Sequence, residues 1–127
     1  MNLNWSSYPN FTRSEFVCRC GCGRADMQPG FMSALQMLRD AYARPMPITS
    51  GYRCPKHPIE AAKAMPGAHA SGCAADVAVH GSPTHELLRL AFHFGFTGIG
   101  VQQRGDGRFI HLDTLTGPNR PMVWSYP

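Results

Sequence analysis

A chain of 127 residues with 43% apolar and 16% charged residues can build one hydrophobic core, which excludes a disordered chain and leads us to expect a single domain over 1–127. The formal net charge of +4 suits an anionic partner, with cell-wall polymer, nucleic acid and acidic peptide all compatible. No run approaches the roughly 20 apolar residues of a bilayer span, and Met1 to Asn10 lacks the basic start and apolar core of a secretory signal. Synthesis in the cytoplasm is therefore expected.

In chain order, Thr12-Arg-Ser-Glu15 matches a capping box and predicts a short helix that ends in the Cys/Gly cluster. Pro29 precedes Phe31, Ala34, Leu35, Leu38, Ala41 and Tyr42 at helical spacing, so a long helix is expected there, stopped by Pro45 and Pro47. Ile48 to Arg53 reads as a strand running into a turn, and Pro55 to Ala64 as a helical stretch confined by Pro58. The small residues from Cys73 to Val79 predict a buried strand. Ser82-Pro83 reads as an N-cap and first helical residue, with Leu87, Leu88, Ala91 and Phe92 as the apolar face and Gly95 as the stop. Gly98 to Gln102 and Arg108 to Asp113 read as a hairpin across Gly105-Asp-Gly107, and Val123 to Tyr126 as a last strand. The fold class is α+β, a small, mostly antiparallel sheet with helices packed on it.

Five cysteines fall into a C-x-C-x-C-G cluster, Cys18, Cys20 and Cys22, and two separate residues, Cys54 and Cys73. An odd number argues against complete disulfide pairing, and clustered thiols in a reducing compartment more often bind metal. Cys18, Cys20, Cys22 and Cys54 are candidates for a structural metal; buried thiols, or one disulfide from the cluster to Cys54, are the alternatives. Strand parity places Cys73 on the core face, opposite Asp76.

The chemistry concentrates in Gly67-Ala-His-Ala-Ser-Gly-Cys-Ala-Ala-Asp76 and Phe109-Ile-His-Leu-Asp113. His69, Asp76 and His111 are a candidate three-ligand zinc site with a fourth position left for water. On a helix His69 and Asp76 would lie roughly 10 Å apart, so the chain must fold back between them, and Gly72 is where it can. His111 and Asp113 share a strand face. Asp113 reads as a general base, as a partner orienting a ligand histidine, or as a surface carboxylate. His80 shares the parity of Asp76 at a strand end, where exposure is the ordinary outcome.

Ser50-Gly-Tyr-Arg53, His69-x-x-Gly72-x-Ala74-x-Asp76 and Gly98-Ile-Gly-Val101 leading to Phe109-Ile-His-Leu-Asp113 together resemble the zinc D-Ala-D-Ala carboxypeptidase family. That family includes phage L-alanyl-D-glutamate endolysins and shares its fold with the hedgehog signalling domain. The resemblance runs from about Phe11 to Asp113. It implies His69, Asp76 and His111 as zinc ligands and Arg53 as the residue holding a substrate carboxylate or carbonyl oxygen, a role suited to a rigid guanidinium fork. Two positions depart from the family pattern: Gly67 stands where serine is common, and Arg108 where many members carry an acid. Asp113 is then the candidate catalytic base, with Asp106 in reserve.

The expected function is a monomeric zinc peptidase hydrolysing stem peptides of peptidoglycan, as a D-Ala-D-Ala carboxypeptidase or an L-Ala-D-Glu or cross-link endopeptidase, reaching the wall by phage release or another export route. Arg108 at the acid position motivates an alternative, a zinc-bearing binding module that has lost catalysis. A nucleic-acid-binding role is disfavoured, since the chain lacks a dense Lys/Arg stripe and a paired C-x-x-C arrangement.

Overall fold

The computed structural model describes residues 3–63 and 67–127. Thr12 opens helix α1 (Arg13–Phe16), and the Glu15 carboxylate accepts the Thr12 backbone N–H at 2.9 Å, as a capping box requires. The helix stops short of the cysteines: Phe16 is fully buried in an aromatic cluster with Trp5 and Phe11, and Val17 turns extended. Helix α2 (Pro29–Tyr42) buries Phe31, Leu35, Leu38 and Tyr42 as one stripe. It ends before either proline, at Ala43, which takes φ 57° and donates its N–H to the Arg39 carbonyl at 2.9 Å.

Strand β1 (Ile48–Ser50) follows, then helix α3 (Pro58–Ala61), a single turn where Pro55 to Ala64 was expected; Ala64 lies outside the described residues. Strand β2 (Ala74–Ala78), helix α4 (Ser82–His93), strands β3 (Gly98–Gln102) and β4 (Phe109–Asp113), and strand β5 (Met122–Ser125) complete the order. Ser82 is the first residue of α4 and Gly81, at φ 75°, flanks it, one position earlier than the sequence suggests. The sheet runs β1-β2-β4-β3-β5, antiparallel at the first three junctions. Only β5 joins in parallel, against β3, so the α+β, mostly antiparallel expectation describes the fold.

Register does the placing. Ser50 pairs with Asp76, Asp76 with His111, His111 with Gly100 and Gly100 with Trp124, a single row across all five strands. Residues in such a row share a face. The opposite face carries Ala75, Val77, Ile99, Ile110 and Leu112, buried with Leu35 and Leu38 of α2 and Leu87 and Ala91 of α4 in one apolar cluster. Each buried leucine or isoleucine contributes about 1.5–3 kcal/mol of transfer free energy. The polar row is therefore carried on a sheet anchored from behind.

Ala43 holds a left-handed conformation that costs an L-residue roughly 1–2 kcal/mol. Ala43→Gly should raise stability by about 0.5–1 kcal/mol, against the usual direction for that exchange. Thermal unfolding checks it, and a lowered midpoint would show that the helix end carries no strain.

A candidate metal centre in a cleft

His69 lies on a short 3-10 turn, Ala68–Ser71, closed by Gly72 at φ 78°. A Cβ at Gly72 would strike the Asp26 carbonyl oxygen, and the Gly72 carbonyl accepts the Gln28 N–H at 2.9 Å, so the reversal is packed tightly against the segment leading into α2. After this turn β2 delivers Asp76 beside His111, its cross-strand partner. The three atoms His69 Nε2, Asp76 Oδ1 and His111 Nδ1 stand 3.1, 3.2 and 3.3 Å from one another. Bonds of about 2 Å to one tetrahedral ion require ligand atoms about 3.3 Å apart, so this donor triangle fits a single zinc-sized ion.

Each imidazole has its tautomer set from behind. His69 Nδ1 lies 2.8 Å from the Gly51 carbonyl, which can only accept, so the proton sits on Nδ1 and Nε2 keeps its lone pair. His111 Nε2 lies 2.7 Å from Asp113 Oδ2 and donates to it, which frees Nδ1 toward the triangle. Burial opposes charge on both partners of the Asp76–His111 pair, yet their contacts prevail. The Asp76 carboxyl is brought down to about 2 by the two histidines, and the His111 imidazole is raised above its ordinary value by Asp113 and Asp76.

Burial removes one reading of Asp113, the surface carboxylate. Its carboxylate is fully buried and both oxygens are occupied, by His111 Nε2, by the Leu115 N–H at 3.2 Å, and by Arg120 through Nε at 2.9 Å and Nη2 at 2.7 Å. Desolvation works against the charge, but His111 and Arg120 hold this carboxyl well below the usual range. It meets His111 at Nε2, the ring nitrogen turned away from the donor triangle, and does not line the cleft. Gly98 makes room for it, since a Cβ there would overlap the carboxylate. Gly100 similarly lets the Trp124 indole lie over the strand, 2.6 Å from where a Cβ would stand, with its ring 5.1 Å from that of His111. Asp106 and Arg108 are exposed on the hairpin turn and do not line the cleft, and His80 is also exposed.

The triangle forms the floor of a cleft of about 460 Å³, walled by Phe109, Trp124 and Tyr126 and bordered by the cations Arg53, Lys63 and Arg120. Arg53 stands 3.9 Å from Asp76 Oδ2 and 3.8 Å from Glu60 Oε2, close enough for attraction but too far for hydrogen bonds. Among the described residues its side-chain donors therefore remain available to a ligand. Glu60 is buried, accepting from Lys63 Nζ at 2.9 Å and the Gly67 N–H at 2.8 Å; burial pushes its carboxyl up, but these partners bring it below the usual range. Elsewhere, Cys18, Cys20, Cys22 and Cys54 gather with all sulfurs within 4.8 Å of one another. Cys73 is half-buried against the core, apart from that group.

Glu60, Arg120, Trp124 and Tyr126 were not anticipated. Trp124 was within reach, because its parity follows once β5 is known to pair with β3; Arg120 and Glu60 sit in irregular or one-turn segments that carry no periodic signal.

Three buried protein donors facing a cleft could hold a metal ion and leave a fourth position open, whereas a structural centre closes all four. A family model described as Peptidase M15 matches residues 9–113, and the chain belongs to that family. No curated protein matches the chain.

Gly98→Ala should destabilise the fold by about 1–3 kcal/mol through overpacking against Asp113 and loosen His111 with it. Denaturant unfolding and chelator competition for bound metal read the two effects; a variant as stable and as tightly metallated as the parent would contradict the packing argument.

Proposed function

We propose that this M15 peptidase is a zinc enzyme that hydrolyses stem peptides of bacterial peptidoglycan, with His69 Nε2, Asp76 Oδ1 and His111 Nδ1 holding the ion. The observation that carries the reading is the donor triangle, with sides of 3.1 to 3.3 Å, set beside the unengaged Arg53 fork. The chemistry an ion held by these three residues would supply is Lewis acidity toward a peptide carbonyl and toward bound water. Arg53 binds a substrate carboxylate or steadies negative charge developing on the carbonyl oxygen. Lys63 and Arg120 border the cleft paired to Glu60 and Asp113, which leaves Arg53 as the cation for an acidic peptide, and Phe109, Trp124 and Tyr126 give an apolar wall that excludes water from one side. Stem peptides, with several carboxylates on a short backbone, match those walls. The bond cut is a D-Ala-D-Ala, L-Ala-D-Glu or cross-link amide, and the enzyme reaches the wall by phage release or another export route. Asp113 orients His111 and, through Arg120, ties it to the segment leading into β5.

Digestion of defined muropeptides followed by mass spectrometry, with zinc quantified in the same sample, is the direct test. His69→Ala should lose both the ion and hydrolysis; cleavage by a metal-free variant would sink the mechanism. Arg53→Ala should keep its zinc while kcat/KM falls about 10²- to 10³-fold. For Asp113→Asn we expect metal affinity to drop about 10- to 100-fold. Unchanged affinity with turnover lost at saturating zinc would return Asp113 to a proton-transfer role.

One observation favours a second reading. Among the described residues lining the cleft Asp76 is the single carboxylate, so a zinc-bearing module that binds stem peptides without cutting them has the same walls and lacks a separate base. Intact muropeptides after prolonged incubation with the zinc-loaded protein, together with measurable binding, would establish it.

A further inference from the structure

We infer that Cys18, Cys20, Cys22 and Cys54 form a second metal site, closed and structural, for a thiophilic divalent ion of the zinc type. The four sulfurs come from two places in the chain that the fold brings together: a short irregular loop and the residue directly after Arg53. Cys20 Sγ lies 3.4 Å from Cys18 Sγ and 3.3 Å from Cys54 Sγ, and every pair in the group is within 4.8 Å. Four thiolates about 2.3 Å from one ion stand about 3.8 Å apart, so the group needs only small adjustments to enclose one. Four sulfur donors leave no open position and select zinc over hard cations.

Backbone donors already face the sulfurs as they would face thiolates. The Cys54 N–H points at Cys18 Sγ, 3.3 Å away, and the Arg24 N–H at Cys22 Sγ, 3.4 Å away. Gly21, at φ 90° with open space around it, supplies the backbone turn that brings cysteines on either side of it to one point. Besides the thiols the loop is held by polar contacts alone: the Cys18 N–H donates to the Arg24 carbonyl at 2.7 Å, Arg13 donates to the Gly23 carbonyl and Arg24 to Asp26. Arg19 through Arg24 are all exposed and place no apolar side chain in the core, while Cys18 and Cys54 are buried.

The location gives the site its purpose. The Phe16 carbonyl accepts the Tyr52 N–H at 2.9 Å, the Arg24 guanidinium lies 5.4 Å over the Tyr52 ring, and a Cβ at Gly51 would come 2.6 Å from Phe16 Cα. An ion bonded to Cys54 and to the loop would clamp both sides of Gly51-Tyr-Arg53. That stretch supplies the carbonyl behind His69 and the guanidinium of the cleft. The sulfur site would thus hold the catalytic frame without touching substrate.

Protein purified under reducing conditions with zinc should carry two ions per chain by elemental analysis. Cobalt exchanged into the protein should give the intense near-ultraviolet charge-transfer band of thiolate ligation, with no variant needed. Cys20→Ser/Cys22→Ser should lose that band and one ion; His69→Ala should lose one ion and keep the band, which separates this inference from the peptidase reading. Trypsin should cut at Arg19 once a chelator strips the sulfur site, and spare it in metal-loaded His69→Ala. The inference is overturned by a single ion per chain that survives the double cysteine substitution, by cobalt protein without the thiolate band, or by an intact mass two hydrogens low from a disulfide within the cluster.

Discussion

Everything around the cleft answers one constraint: two imidazoles and a carboxylate must present their lone pairs within about 3.3 Å of one another. Left to themselves such groups would turn apart or trade protons. Here a carbonyl behind one ring and a carboxylate behind the other pin the protons on the far nitrogens, so the near ones stay free. The sheet register puts Asp76 and His111 side by side, and the Gly72 reversal returns His69 to meet them. The glycines of β3 are part of the same solution, because Asp113 and Trp124 occupy the volume their side chains would have filled.

The cleft's charges are divided between two tasks. Arg120 is consumed by Asp113, with two hydrogen bonds that leave it holding a histidine in place. Arg53 is balanced between Asp76 and Glu60 without bonding to either. Two arginines bordering one cavity thus differ in what they can offer: one is structural glue with an exposed flank, the other an unspent donor. Glu60 makes this division workable, since its negative charge keeps Arg53 from collapsing onto Asp76.

The ordered parts of this arrangement were legible from residue pattern alone. Helical spacing located α2 and α4, strand parity separated His111 from Ile110 and Leu112, and the glycine at position 72 marked the reversal between two ligands. What pattern could not supply was anything determined by contact across the chain. Ala43 ends α2 because a left-handed turn closes there, a choice no alanine advertises. Asp113 carries the same residue type whether it takes protons from water or steadies an imidazole, and its neighbours, Arg120 above all, come from a segment the pattern does not place beside it. The pairing of β5 with β3 joins segments with no shared periodicity, so the aromatic wall it provides was invisible until the sheet was assembled.

The distribution of the ligands along the chain has a consequence for the order in which the molecule can be made. His111 meets His69 across 42 positions and Asp76 across 35, with α4 and a hairpin between. The entropy of closing such loops is recovered only when the sheet as a whole has formed. The donor triangle is complete only once β4 pairs with β2, although His69 and Asp76, close in the chain, can meet without it. A metal held there would inherit its geometry from the completed sheet, as a keystone is cut to an arch already standing.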